Sequence, residues 1–298
     1  MALLKPHKAC DAEVQHLRFP LIGMPKIDGV RGLVQDSKLY SRTLKLHPNL
    51  YSQARFGKEE YNGLDGELAL GDPTGERQCN RSSSAIGRIK EEPDFTLWAF
   101  DLLTPETEGL GYKARLALLA ELVEELAVDH IQIVPHVLIT SQEELEAWEE
   151  AWLSEGYEGI ILRDPEGKHK QGRSTARENG FLRIKRFTDS EGLVLEIKEG
   201  QSNGNEAQIN ELGHTKRSTH KENMKPNGLV GTIVMKDVYS EQILNVSPGN
   251  MTEDERKFYF ENQDQIVGKI GKYKAFQYGK KDKPRFAGWL GFRNPEEM

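Results

Sequence analysis

Cysteine is nearly absent. Cys10 and Cys79 are the only two in 298 residues, too few for a zinc site or a disulfide framework. No run of about 18 apolar residues occurs, which excludes a membrane-spanning helix. The 37% of hydrophobic residues fit a soluble globular protein. Met1 to Pro20 is interrupted by Lys5, Lys8, Asp11, Glu13 and Arg18, so it lacks the apolar core of a secretory leader. These absences predict a reducing, cytoplasmic compartment and no membrane partner. No internal repeat and no low-complexity tract is present, which sets repeat architectures aside. The length allows two domains with separate cores.

Positive charge is in deficit, with 40 Lys and Arg against 47 Asp and Glu, a net charge of −7. That balance argues weakly against nucleic-acid binding, but its distribution reverses the argument. Residues 1–189 carry 24 basic and 31 acidic side chains, and 190–298 carry 16 of each. Within the acidic half, 163–186 holds 8 basic and 3 acidic residues. A basic stripe on an acidic body follows, and the local field matters more than the total.

What is present centres on Pro25-Lys26-Ile27-Asp28-Gly29-Val30-Arg31. An apolar run from Phe19 to Met24 precedes it as a strand. A lysine at a strand end can act as a nucleophile, with Gly29 permitting a tight turn and Arg31 aimed at a phosphate. Lysine attacks phosphorus only when neutral, and its reference pKa is about 10.4. It therefore needs cations or a metal beside it. Taken alone, the same residues also read as a surface turn with a solvated arginine.

Gly32 to Arg42 reads as a hairpin turning at Asp36-Ser37, which delivers Arg42 beside the lysine. Asp65-Gly66-Glu67 enters a strand, where Glu67 can serve a ribose hydroxyl or a metal. Ser82 to Lys90 reads as a short helix. Phe95 to Leu103 is an aromatic-rich strand in which Phe100 either stacks on a base or fills a core. Helical spacing marks 112–128, and Ile131 to Ile139 reads as one strand. Ser141 and Glu144 predict a capping box opening a helix that Gly156 ends. Glu158 stands at the entrance of the apolar strand 157–163, where it must be solvated or paired, and a metal is one partner. In the strand 181–187, Arg183 and Lys185 share a face with no acid between them, which predicts a bound phosphate. A boundary is expected near 188–190. Strands 192–198 and 229–236 then flank a long polar insert, 200–228, and such loops are functional or disordered. A short helix at 252–265 and strands from 269 onward close the chain.

Taken in order, these stretches have a joint shape. Lys26-Ile27-Asp28-Gly29-Val30-Arg31, Ser41-Arg42-Thr43, Asp65-Gly66-Glu67, Phe100-Asp101, Glu158-Gly159-Ile160-Ile161 and Arg183-Ile184-Lys185 resemble the motifs of the covalent nucleotidyltransferase superfamily. That superfamily holds DNA ligases, RNA ligases and mRNA capping enzymes. Within it the chain looks most like the minimal ATP-dependent DNA ligases of large DNA viruses and phages. The resemblance covers nearly the whole chain.

It implies an α+β fold. A nucleotidyltransferase domain of ATP-grasp-like antiparallel sheets and helices would span 1–189. An OB-fold β-barrel domain would follow at 190–298, with a DNA-clamping insert at about 200–228. Lys26 would take AMP from ATP. Ile27, Glu67 and Phe100 would bind the nucleotide, with Phe100 stacked on adenine. Arg31, Arg183 and Lys185 would face the reacting phosphates. Arg285 and Arg293 would grip the leaving pyrophosphate. Glu158, with Glu67, would hold Mg2+ or Mn2+. Arg42 would take the 5′-phosphate of a nick, and Lys216, Arg217 and Lys221 would clamp the duplex. A monomer encircling nicked DNA, in the cytoplasm of a host cell, is expected, with a role in repair or replication. Two departures stand out. Many ligases have lysine at the place of Arg183, and Arg293 is followed by Asn-Pro-Glu-Glu rather than Arg-x-Asp-Lys. An RNA ligase or capping guanylyltransferase remains the competing enzyme reading. A non-catalytic OB-fold binder competes from outside catalysis.

Overall fold

The computed structural model describes residues 3–75, 77–184, 188–276 and 284–293, with Thr188, Phe276 and Arg285 described by main chain only. The chain divides into two compact units, Met1–Lys185 and Arg186–Met298. Thr188 and Asp189 are already paired with Ala275 and Lys274 of the second unit.

The first unit opens with β1 (His7–Lys8), β2 (Cys10–Asp11), β3 (Leu21–Pro25), β4 (Val30–Gln35) and β5 (Lys38–Tyr40). Helix α1 (Leu50–Phe56), β6 (Leu64–Leu70), α2 (Gln78–Ile86), β7 (Phe95–Leu102) and α3 (Tyr112–Leu126) follow. Then come β8 (Ile131–Ile133), β9 (Val137–Ile139), α4 (Gln142–Ser154), β10 (Ile160–Arg163), β11 (Gly172–Arg173) and β12 (Phe181–Ile184). Two five-stranded sheets result, ordered β5-β4-β6-β7-β8 and β2-β12-β10-β3-β9, while β1 and β11 pair separately.

Strand β3 is buried on both faces, which explains its unbroken apolar run. Ile22 and Met24 join a core with Leu68, Leu97 and Ala99 of the other sheet. Leu21 joins Ile160, Leu162, Leu145 and Trp152, the last two from α4. The β4–β5 hairpin turns at Asp36 and Ser37, with φ of 48° and 55°, as a two-residue turn demands. Buried Tyr112, Arg115, Leu116 and Leu119 share one face of α3. The periodic reading of this helix passed over Arg115.

Three local expectations are corrected. Residues 78–86 form α2, so the helix starts before Ser82 and ends before Lys90. The expected strand 131–139 is two, β8 and β9, which belong to different sheets. Pro135 lies between them and has no N–H for a ladder. The Ser141 hydroxyl accepts from Glu144 N at 3.2 Å, but the Glu144 carboxylate accepts from Thr140 N and Oγ1, at 2.7 and 2.9 Å. The reciprocal half of the capping box therefore lands one residue early.

The second unit holds β13 (Thr188–Asn203), β14 (Ala207–Ile209), β15 (Thr215–Arg217), β16 (Met224–Asp237) and β17 (Ile243–Val246). Helix α5 (Glu253–Glu261), β18 (Ile270–Phe276) and β19 (Arg285–Phe292) complete it. The sheet order is β17-β16-β13-β18-β19. Ser247 bridges Gly288 in parallel, joining the first strand to the last. This is the connectivity of an OB-fold barrel, with α5 between the third and fourth barrel strands. Val194, Ile197, Val230, Met235, Tyr273 and Trp289 fill its core. The polar insert is itself a hairpin, β14 against β15. Its flanks belong to the long pair β13–β16, which extends to Asn203 and Met224.

Candidate active site

Lys26 follows directly on β3. Its main-chain N donates to Gly159 O at 2.8 Å, and Glu158 N donates to Lys26 O at 3.0 Å. These bonds prolong the antiparallel β3–β10 pairing, in which Pro25 faces Ile160. They set Lys26 and Glu158 side by side, and Lys26 Nζ donates to Glu158 Oε2. Glu158 is thus paired, with a lysine 132 residues earlier in the chain. Gly29 is explained by space rather than by a turn. A Cβ there would stand 2.3 Å from Leu68 O and 2.9 Å from Glu67 Cγ. No side chain fits, so glycine lets the lysine loop lie on β6.

Arg31 lies opposite Glu67 in the β4–β6 register, but its guanidinium is committed elsewhere. It forks onto the buried Asp65 carboxylate, with Nη2 to Oδ2 at 2.5 Å. It also donates to His7 O at 3.3 Å and lies 4.5 Å from the Phe100 ring centroid. Burial alone would lower the Arg31 pKa, but Asp65 holds it above the usual value. One face of Phe100 is therefore covered by Arg31, while its ring packs against the first core. The Tyr112 hydroxyl donates to Phe100 O at 2.7 Å and fixes the strand there. Ile27 is buried in the same core, so any nucleotide contact falls to its main chain.

Glu67 has its pKa pushed up to about 7, by burial first and then by Asp28 and Glu158, with Lys26 and Arg31 acting against the rise. Carboxylates of three residues thus share one neighbourhood with Lys26. Among the described residues no three His, Cys, Asp or Glu side chains converge as a metal cage. A divalent cation held mainly by substrate phosphates needs only one or two protein carboxylates.

Arg183 has an acid beside it from another strand. Its Nε donates to Asp11 Oδ1 at 2.7 Å, because the parallel strand β2 sets Asp11 opposite it. Both side chains are exposed enough for the pair to exchange readily. Lys185 lies outside the described residues, as does the Arg285 side chain. Arg42 is exposed in the turn after β5, where Leu44 N donates to Ser41 O at 2.9 Å. In the second unit, Arg293 Nη1 lies 3.1 Å from Glu191 Oε2. Lys216 and Lys221 are exposed on the insert, and Arg217 Nη1 donates to Asn205 O. Asn205 in turn donates to Ser218 O and His220 O, at 2.9 and 2.8 Å, tying the two limbs of the hairpin together.

A buried charge cluster went unread in the sequence. Asp101, next to Phe100, accepts from Arg115 at 2.7 and 3.2 Å and from Arg163 at 2.8 Å. The Arg163 guanidinium is sandwiched between the Tyr112 and Phe181 rings, 4.0 and 4.1 Å from their centroids. Burial would raise the Asp101 pKa, but the two arginines hold it at about 2. The cluster joins β7, α3 and β10, the elements behind Phe100 and Glu158. An arginine on the apolar stripe of α3 was the signal that could have found it.

Two mixed sheets presenting a lysine beside carboxylates, followed in the chain by an OB-fold barrel, define a nucleotidyltransferase of the DNA-ligase type. A sequence model described as the ATP dependent DNA ligase domain matches residues 3–185. The chain belongs to that family. Its members join nicked DNA through an enzyme-bound adenylate. No curated protein sequence matches the chain. Among solved structures, Chlorella virus DNA ligase-adenylate is 25% identical with a TM-score of 0.56, over 98% of this chain and 100% of that one. A Lig E DNA ligase, described as binding DNA with a minimal scaffold, is 21% identical with a TM-score of 0.73, again over 98% of this chain and 100% of that one. The latter likeness speaks for the fold alone.

Proposed function

We propose that Lys26 is the residue that carries AMP, and that the chain seals 3′-hydroxyl/5′-phosphate nicks in duplex DNA in three steps. Lys26 Nζ attacks the α-phosphorus of ATP; the bond to the β-phosphate breaks and pyrophosphate leaves. The 5′-phosphate of the nick then attacks that phosphorus, breaking the P–N bond and freeing the lysine. The 3′-hydroxyl finally displaces AMP, and the strand is joined. Covalent catalysis divides the work between easier steps, and positioning with charge neutralisation supplies most of the acceleration.

The observation that carries the reading is the contact of Lys26 with Glu158 at the paired ends of β3 and β10. Glu158 orients Nζ. Glu67 and the Ile27 main chain hold the nucleoside, and the half-exposed Phe100 ring stacks on adenine. Arg31 acts by fixing Asp65, Phe100 and the His7 main chain. Glu158 and Glu67 would hold Mg2+ or Mn2+, which when bound offsets charge on the phosphate oxygens. Arg183 and Lys185 serve the α-phosphate, and Arg183 must first exchange Asp11 for it. Arg42 serves the 5′-phosphate, and Arg285 and Arg293 the pyrophosphate. Residues 1–185 are then the adenylyltransferase domain. The barrel adds the pyrophosphate arginines and, through its hairpin with Lys216, Arg217 and Lys221, a grip on the duplex. The enzyme acts as a monomer in repair or replication, in the cytoplasm, and its likeness to a viral ligase suits a viral or phage source.

Incubation with labelled ATP and magnesium, then with a nicked duplex, tests this. Label on the protein that maps to Lys26 by mass spectrometry, and a sealed strand, are expected. Label on Lys26→Ala protein refutes the assignment. Labelling from GTP instead, or sealing of RNA nicks alone, favours an RNA-directed relative.

A further inference from the structure

Residues 4–12 run as a strap across the first unit. Leu4 exchanges hydrogen bonds with the Gln35 amide at 2.8 and 2.9 Å. Lys5 O accepts from His169 Nε2 at 2.8 Å, and Ala9 O from Arg173 Nη1 at 3.2 Å. Ser174 N donates to Lys8 O at 2.8 Å, and Ala12 N to Arg183 O at 2.9 Å. The strap is thereby tied to β4, to β12 and to the loop around β11. His7 turns inward, 3% exposed and edge-on to Phe181 and His169. Alternation along an extended strand then turns Lys8 the other way, where it is half-buried.

Lys8 is the register partner of Arg173 in the β1–β11 pair. Burial first, then repulsion by Arg42, Arg173, Arg31 and Lys5, hold its ammonium below the usual lysine range. Arg31 has its own counterion in Asp65. Among the described residues no carboxylate forms an ion pair with Lys8, Arg42 or Arg173. Like charges gathered beside a strap held in place are unfavourable until an anion joins them. His7 O also accepts from Arg31, so the strap adjoins the motif that begins with Lys26.

We propose that Lys8 is a phosphate-binding residue of the reaction site, acting with Arg42 and Arg173 on a terminal phosphate. Either the 5′-phosphate of the nick or the triphosphate of ATP presents that group. The inference rests on the ligase reading above. It is tested with Lys8→Met and Lys8→Arg in the full chain. One arm measures binding of the adenylated protein to nicked duplexes ending in 5′-phosphate or 5′-hydroxyl. The other measures self-adenylation against ATP concentration.

Wild type should prefer the 5′-phosphate nick. Lys8→Met should lose about tenfold of that preference, as one charged contact removed would give, and Lys8→Arg should restore it. A loss confined to the ATP concentration dependence, again restored by arginine, supports Lys8 on the triphosphate instead. Wild-type behaviour of Lys8→Met in both arms overturns the role of Lys8 alone. Equal loss on both nicks with no rescue by arginine also overturns it, since that marks a merely structural lysine. Wild-type protein that forms no lysyl-AMP overturns the ligase reading, and the role of Lys8 with it.

Discussion

Replacing Asp101 by Asn should unfold the first unit far more readily while leaving the barrel unaffected. The carboxylate is 1% exposed and lies between Arg115 and Arg163, themselves 0% and 1% exposed. Arg115 would keep Leu110 O and Gly167 O as acceptors, at 2.5 and 3.2 Å. Among the described residues Arg163 would keep none, because Asp101 is its only hydrogen-bond acceptor there and its Nε and Nη1 have no hydrogen-bond partner. Asparagine can return one acceptor, but its amide N–H groups would face a guanidinium. Removing one partner of a buried ion pair costs about 3–5 kcal/mol. The depressed pKa gives a smaller figure. Holding Asp101 at about 2 against an ordinary 3.8 corresponds to about 2 kcal/mol of charge stabilisation. The difference between the figures is the cost of leaving Arg163 charged and unpaired.

The sign with pH follows. A lowered carboxyl pKa gives stability that is full above 3.8 and is lost as pH falls through about 2. The gap between wild type and variant should therefore be constant near neutrality and shrink between those values. Guanidinium unfolding followed by tryptophan fluorescence in a Trp289→Phe background reads the first unit, because Trp98, Trp148 and Trp152 all lie there. Adding Arg163→Leu should recover part of the loss. A variant within about 1 kcal/mol of wild type at pH 7, set against the expected cost, refutes the reasoning. So does a gap that persists undiminished in acid.

Three further outcomes are expected. Replacing 204–223 by a Gly-Ser turn should spare lysine adenylation and weaken nick binding. The slope of log K against log salt should become shallower by about 3 if Lys216, Arg217 and Lys221 each contact a phosphate; unchanged affinity and slope would count against the clamp. Arg293→Ala should impair self-adenylation more than sealing of a nick already carrying AMP on its 5′-phosphate, since pyrophosphate leaves only in the first step; equal losses in the two assays deny the role. Phe100→Leu should bind ATP better than Phe100→Ala, because apolar packing on adenine survives. The ring is partly exposed, so the Ala variant should fall below the roughly 3–5 kcal/mol typical of a fully buried phenylalanine. ATP binding unimpaired in the Ala variant would show that the ring does not face the nucleotide.

Much of the molecule was legible in its amino acids, because the decisive signals are local. An apolar run marked the strand before Lys26, aromatic residues marked the strand of Phe100, and helical spacing marked 112–128. Asp36-Ser37 announced a two-residue hairpin. Six short motifs in order sufficed for the family, since each sets a charged residue in or beside a strand. Only the tertiary structure decided which charges meet. Glu158 meets Lys26 because β3 and β10 are antiparallel neighbours. Arg31 is held by Asp65, and Arg183 by Asp11, through registers spanning 34 and 172 residues. Asp101 joins Arg115 and Arg163 from three elements, and no periodicity encodes that meeting. Gly29 looked like a turn residue in the chain and is a contact residue in the fold. The strap of residues 4–12 gave no sequence signal beyond its charges. Its place follows from single hydrogen bonds to distant strands, and pairings of that kind are set only when the sheets assemble.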